Sequence, residues 1–161
     1  MIKTNWQSPL GLITILSDDQ FLYGLWFDQA THYGAKYQLA EIADGTNQVA
    51  RLTIDWLTAY FNHQPIDPTT IPLRPAGTPF QQRVWQALLK IPYGQAQTYR
   101  DLAQELNTSP RAVGSAVGRN PISLIIPCHR ILSADHRLTG YAGGLDRKRF
   151  LLDLEGIPFK D

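Results

Sequence analysis

Three short stretches rich in apolar and β-branched residues at the start of the chain, Ile2 to Trp6, Leu12 to Leu16 and Phe21 to Phe27, read as strands. The breaks between them, Ser-Pro-Leu-Gly and Ser-Asp-Asp-Gln, are turn-forming. This pattern predicts an antiparallel sheet. From Gln48 to Phe61 the pattern changes: Val49, Leu52, Trp56, Leu57, Tyr60 and Phe61 share one helical face, expected to lie on that sheet. Pro65, Pro68, Pro72, Pro75 and Pro79 then disfavour both helix and sheet interior, and the stretch from His63 to Pro79 reads as a linker.

Beyond it, Thr78-Pro79-Phe80-Gln81 has a threonine cap, a proline at the first helical position and a glutamine three residues after the cap. That is a capping-box signature, and it predicts a helix running to about Lys90. Pro92-Tyr93-Gly94 stops it. Thr98 caps a short helix carrying Tyr99, Leu102, Ala103 and Leu106, Asn107-Thr108 turns the chain, and Ser109-Pro110 starts another. Two short helices joined by a tight turn resemble a helix-turn-helix. The expected fold is α/β (α+β): a small antiparallel sheet plus helix over residues 1–75, then a mostly helical domain over 76–161.

At 161 residues, 43% hydrophobic and 18% charged, the chain suits one ordinary domain or two small ones. No charged leader precedes an apolar stretch, and the longest apolar run, Ile122 to Ile126, is far too short to span a bilayer, so an intracellular, cytoplasmic protein is expected. Four basic and seven acidic residues precede Ala76, against eleven and seven from there on. A basic second half suits a polyanionic partner, although a mildly basic domain without one is common.

One cysteine excludes an internal disulfide and any multi-cysteine metal site. Cys128 is then either a buried apolar filler or a reactive thiol. Its neighbours favour the second. The run Asn120-Pro121-Ile122-Ser123-Leu124-Ile125-Ile126 looks strand-like and ends in Pro127-Cys128-His129-Arg130, where positive charge and a basic imidazole favour thiolate. Adjacent strand residues point to opposite faces, so His129 is expected to reach Cys128 through a bend or a bridging water. Asp135, Asp146, Asp153 and Glu155 are the candidate carboxylates to orient the imidazole. On the helix after Ser109, Val113 and Val117 share one side, while Arg111, Gly114, Ser115 and Gly118 cluster on the other. That small-residue face suits either close helix packing or approach to a narrow groove, with Arg111 as a probe and Arg119 and Asn120 beyond the helix end.

Taken together, Pro-Cys-His-Arg after Asn-Pro-x-x-x-x-Ile, Tyr-x-x-Leu-Ala and Arg-Ala-Val-Gly upstream, and Gly-Tyr-Ala-Gly-Gly-Leu downstream resemble the O6-alkylguanine-DNA alkyltransferases over roughly residues 78 to 157. The first 75 residues are compatible with that family's ribonuclease-H-like domain. The resemblance implies repair of duplex DNA by irreversible, single-turnover transfer of an alkyl group from O6 of guanine to the protein. Cys128 matches the acceptor, His129 the base acting through water, Glu155 the carboxylate holding it, and Asn120 the brace beside the cysteine. Tyr99 matches the tyrosine that protonates the departing guanine and crowds a phosphate. Arg111 matches the finger that fills the gap left by the flipped base. Tyr141, Ala142 and Gly143 match the pocket loop, with Ser115, Arg119 and Arg130 as further DNA contacts. Ala142 stands where some members carry a hydroxyl. No cofactor, metal or zinc is implied; the partner is double-stranded DNA, and a monomer is expected, with cooperative binding along DNA left open.

Bland readings cover the rest. His32, His63 and His136 have no partner at metal-ligand spacing and are read as solvent-facing, Trp6, Trp26, Trp56 and Trp85 as core, and Arg147-Lys148-Arg149 as a solvated face. Three rival functions remain in view: a lesion sensor that binds without accepting the group, a transcription regulator, and a multiple-turnover cysteine hydrolase. Lesion sensors of this kind carry tryptophan at the cysteine position. A regulator would show dimerising segments and base-reading side chains, which are not visible.

Overall fold

The structure is a computed structural model and describes residues 1–64 and 66–161; of the predicted linker, Pro65 lies outside the described residues. The chain divides into two compact units, one comprising Met1–Ala76 with Pro121–Ser123, the other Gly77–Asn120 with Leu124–Asp161.

In the first unit, β1 (Ile2–Ser8), β2 (Gly11–Ser17) and β3 (Leu22–Phe27) form an antiparallel sheet in that order. The register sets Trp6 opposite Ile13 and Ile13 opposite Phe27, with Ile15 opposite Leu25. These residues share one face, on which α1 (Gln48–Phe61) packs, with the Phe61 ring 6.0 Å from that of Trp6. On the other face, Thr14 and Trp26 pair across strands and meet Tyr33 and Tyr37. With both faces covered, β2 is buried from Ile13 to Ser17. Asn47 caps α1 by accepting from Ala50 N–H. Leu52, expected on the buried face of α1, is 41% exposed, and Ala50 and Thr53 are buried instead. The proline-rich stretch is more than a linker: Pro68–Thr70 forms a 3-10 turn, and Leu22 bonds to Pro72 and Arg74 along the edge of β3.

In the second unit, α2 (Pro79–Leu89), α3 (Tyr99–Glu105) and α4 (Pro110–Gly118) begin at Thr78, Thr98 and Ser109, each hydroxyl accepting from the N–H three residues on. Thr78–Gln81 and Thr98–Asp101 are complete capping boxes. Trp85 on α2 donates from its indole to Ala116 O at 2.9 Å, tying α2 to α4, while Val113 and Val117 turn inward as their spacing required. Asn107, at φ 55°, makes the turn between α3 and α4.

Three elements have no counterpart in the sequence reading. Gln97–Thr98 (β4) and Ile131–Leu132 (β5) form a two-stranded parallel ladder. Leu145–Glu155 is a helix, α5, ended by Gly156 at φ 71°, a left-handed stop that glycine adopts without steric cost. The run Ile122 to Ile126 is not a strand. Buried Leu124 takes φ 71°, which turns the chain, and the run then closes in an inverse γ-turn at Pro127 (φ −81°, ψ 65°), where Cys128 N–H donates to Ile126 O at 2.8 Å. Cys128–Arg130 itself is a 3-10 turn.

Candidate active site

The turn at Pro127 delivers Cys128 into the interior with its residue only 4% exposed, and His129 beside it is completely buried. Glu155, at the last turn of α5, lies on His129: the separation from Nε2 to Oε2 is 2.6 Å. Its other oxygen accepts from Arg130 Nε at 2.8 Å and from Gly94 N–H at 3.0 Å. Burial by itself would raise the Glu155 carboxyl, but the His129 and Arg130 partners outweigh it and hold it at about 2. An ionised carboxylate only accepts hydrogen bonds, so Nε2 carries the imidazole proton and Nδ1 is the basic nitrogen. Burial pushes His129 below its ordinary value against the opposing pull of Glu155, which keeps the ring neutral and able to take a proton.

The thiol departs from the sequence expectation. Burial raises Cys128, and the lowering contributions from an Asn120 hydrogen bond, the Lys148 charge and Tyr141 do not overcome it. The resting group is a thiol, not a thiolate, so a base within the site has work to do. Asn120, itself buried, also donates from Nδ2 to Ile126 O at 2.8 Å and so fixes the carbonyl against which Cys128 closes its γ-turn.

Of the four candidate carboxylates, Glu155 is the one on the imidazole. Asp135 is engaged with Ser133 and Arg137, and Asp146 and Asp153 are exposed. Arg130 requires correction as a DNA contact. It is 6% exposed, its guanidinium donates to Glu155 and to Ile91 O at 2.8 Å, and it lies over the Tyr93 ring, so it faces the interior. Lys148 corrects the solvated-face reading of its segment. It is completely buried, and its ammonium donates to Ile131 O at 2.5 Å, Thr139 O at 2.7 Å and Gly140 O at 3.2 Å. Burial lowers it to about 8. A trace of both interior charges was present in the sequence: Lys148, Leu151, Leu152 and Glu155 keep helical i, i+3, i+4, i+7 spacing.

A cleft of about 540 Å³ lies in the same unit. Tyr99, Arg100, Pro110, Arg111 and Gly114 line it from α3 and α4, and Ser133, Ala134 and Thr139 line it from the loop after β5. Tyr99 links cleft and thiol: its hydroxyl is pushed up to about 12, chiefly by burial, with neighbouring Cys128 as the second cause. Arg111, Ser115 and Arg119 are exposed, Tyr141 and Ala142 half-buried and Gly143 buried. A Cβ on Gly114 would meet the Tyr99 ring at an ordinary 3.7 Å, and one on Gly118 would meet nothing within 4 Å. Close packing inside the protein therefore does not require either glycine. His32, His63 and His136 are exposed. Among the described residues there is no His/Cys/Asp/Glu cluster able to hold a metal ion, and no helix is long and apolar enough to cross a membrane.

The fold and the site together define a two-unit α/β protein whose second unit holds one interior cysteine, followed in the chain by a buried imidazole bonded to a carboxylate. Comparison with known proteins adds the family. The 6-O-methylguanine DNA methyltransferase DNA-binding domain matches residues 79–157, and the ribonuclease-like domain of the same proteins matches residues 1–75. The methylated-DNA–protein-cysteine methyltransferase of Haemophilus influenzae is 45% identical over 160 residues, 98% of this chain and 88% of that protein. Its namesake in Methanosarcina acetivorans is 40% identical over 152 residues, 93% and 95% of the two chains. Among solved structures, Mycobacterium tuberculosis OGT in complex with DNA superposes with a TM-score of 0.84 at 38% identity, covering 96% of this chain and 92% of that one. This chain belongs to the O6-methylguanine-DNA methyltransferase family.

Proposed function

We propose that this protein repairs duplex DNA by moving the alkyl group of O6-alkylguanine onto Cys128, one group per molecule. The observation that carries the reading is buried Cys128 next in the chain to neutral His129, which is bonded to ionised Glu155, in a unit that also holds a cleft lined by Tyr99, Arg100 and Arg111. His129 Nδ1 takes the thiol proton through a water, and Glu155 stabilises the imidazolium. The sulfur attacks the alkyl carbon in line, the bond from that carbon to O6 breaks, and the electron pair leaves on the purine. Tyr99 supplies the proton that neutralises the departing base. Its hydroxyl, held at about 12, stays protonated at neutral pH and serves as a donor. The product is a thioether with no ready route to hydrolysis, so the protein is consumed.

The target atom lies inside the duplex, so the guanine swings out, at a cost of a few kcal/mol that is smaller for an alkylated, poorly paired base. We assign Arg111 to the vacated stack, with α3 and α4 acting as a helix-turn-helix entered from the minor groove. The bare face at Gly114, Ser115 and Gly118 favours close approach of the backbone, and Arg119 and Tyr99 meet phosphates. Tyr141, Ala142 and Gly143 line the base pocket. In this reading the protein works as a monomer in the cytoplasm on double-stranded DNA.

Intact-protein mass after incubation with duplex containing O6-methylguanine is the direct test. A gain of one methyl, mapped to Cys128 and saturating at one per protein, is expected. Preferential binding of the damaged duplex with no gain in mass would replace this reading with the lesion sensor, and repeated turnover would replace it with a hydrolase. Tyr99→Phe is expected to keep most of its DNA affinity and to transfer about 10²-fold more slowly, the lower end of what a positioned proton donor contributes. An unchanged single-turnover rate would remove Tyr99 from the chemistry.

A further inference from the structure

The two walls of the cleft are held very differently. On one side, α3 and α4 pack on each other and α4 is tied to α2 through Trp85. The other side, Ser133 to Thr139, is a loop whose residues Ala134 to Arg137 are exposed. Its own bonds run from Ser133 Oγ to Asp135 and from Arg137 back to Ser133 and Asp135, which shape the loop without attaching it to anything. Attachment comes from two sources. Lys148 holds the Thr139 and Gly140 carbonyls, and the segment Pro158–Asp161 lies along the loop itself.

That segment is joined to the loop through the main chain. Lys160 N–H donates to His136 O at 2.9 Å, Leu138 N–H donates to Lys160 O at 2.7 Å, and Arg137 Nη1 donates to the Asp161 main-chain oxygen at 2.6 Å. It is anchored in turn. Phe159 and Leu138 pack on the core cluster of Leu132, Leu152 and Ile157, and Arg149 of α5 lies over the Phe159 ring and pairs with Asp161.

Resting on the alkyl-transfer reading above, we infer that Pro158–Asp161 is a brace that sets the position of the Ser133–Thr139 wall and thereby the size of the alkyl group the cleft admits. The bonds of the brace run to His136, Arg137, Leu138 and Arg149, so Lys160 and Phe159 are positioning residues. The bracing bonds use the Lys160 backbone, so its side chain is dispensable and its N–H is not. Loosening the wall relaxes the limit on a bulky group more than it affects methyl transfer.

The test compares single-turnover transfer from duplexes carrying O6-methylguanine and O6-benzylguanine for the unaltered protein, Lys160→Ala, Lys160→Pro and Phe159→Ala. Lys160→Ala keeps both main-chain bonds and is expected to match the unaltered protein. Lys160→Pro removes the N–H to His136, and Phe159→Ala removes the apolar anchor. Each is expected to raise the benzyl-to-methyl rate ratio by roughly tenfold, within the range that a change of fit in an apolar pocket produces. Should Lys160→Pro fail to accumulate as folded protein, the result is read from Phe159→Ala. A ratio within about twofold of the unaltered protein in the folded variants, or an equal shift in Lys160→Ala, overturns the brace. Failure of the unaltered protein to take up either group would instead overturn the proposed function itself.

Discussion

Replacing Cys128 by alanine is expected to abolish alkyl transfer completely while leaving binding to alkylated duplex DNA within about twofold of the parent, since the thiol is buried and is not among the residues that line the cleft. The chain contains no second cysteine to take over. The Tyr99 hydroxyl, at about 12, stays protonated and is not a substitute nucleophile. The substitution removes one buried sulfur, and the cavity and transfer cost is about 1 kcal/mol, small enough to keep the protein folded. Duplex carrying a labelled alkyl group gives the reading. Label on the alanine variant would remove Cys128 as acceptor, and loss of binding along with transfer would mean that the thiol helps to hold the DNA.

Glu155→Ala is expected to lower stability by about 3–5 kcal/mol, because it strips the anion from a buried cluster and leaves Arg130, His129 and Gly94 N–H facing one another without an acceptor. In a chain of this length that corresponds to a fall of roughly 10 °C in Tm. The same cluster predicts acid sensitivity. The folded protein holds the Glu155 carboxyl at about 2 against an ordinary 4.5, so its stabilisation is complete above about pH 4.5 and is lost as pH falls toward 2. His129 acts in the same direction. Its folded value is depressed, so protonation below the ordinary 6.5 favours the unfolded chain. Thermal denaturation of parent and variant between pH 3 and 7 checks both statements. A variant whose Tm stays within about 2 °C of the parent at neutral pH would show that the cluster contributes no net stability.

What could be read in advance follows from where the information sits. Thr78, Thr98 and Ser109 announce α2, α3 and α4 because a cap is a local device, complete within four residues. The three strands are legible because short apolar and β-branched runs stand between turn-forming breaks, and β2 and β3 are buried almost throughout. Helix α5 was illegible for a specific reason: its inward face includes Lys148 and Glu155 among leucines, so the apolar stripe that marks a helix is interrupted by the residues that matter most to the site. The run before Cys128 misled in the opposite way. Five residues that are apolar but for one serine look the same in a strand and in a buried turn, and the left-handed Leu124 that separates them is imposed by tertiary packing. In the site, Cys128, His129, Glu155 and Asn120 came through a motif in a fixed order. Arg130 and Lys148 did not, because a long cationic side chain is read as solvated unless its acceptors are known. Those acceptors are main-chain carbonyls from Ile91, Ile131, Thr139 and Gly140, together with a carboxylate 25 residues away from Arg130.

Pro121–Ser123 belongs to the first unit although it lies in the second half of the chain. Leu25 N–H donates to Pro121 O at 2.8 Å, and Ser123 N–H donates to Leu25 O at 3.0 Å. On the ribosome the sheet emerges long before these partners do, so β3 waits with part of an edge open through most of synthesis. When Pro121 to Ser123 arrive they find a prefolded template, and the reactive turn at Cys128 follows within five residues. Order of synthesis is thus built into the first unit: the edge of β3 is completed only by residues made some ninety positions later.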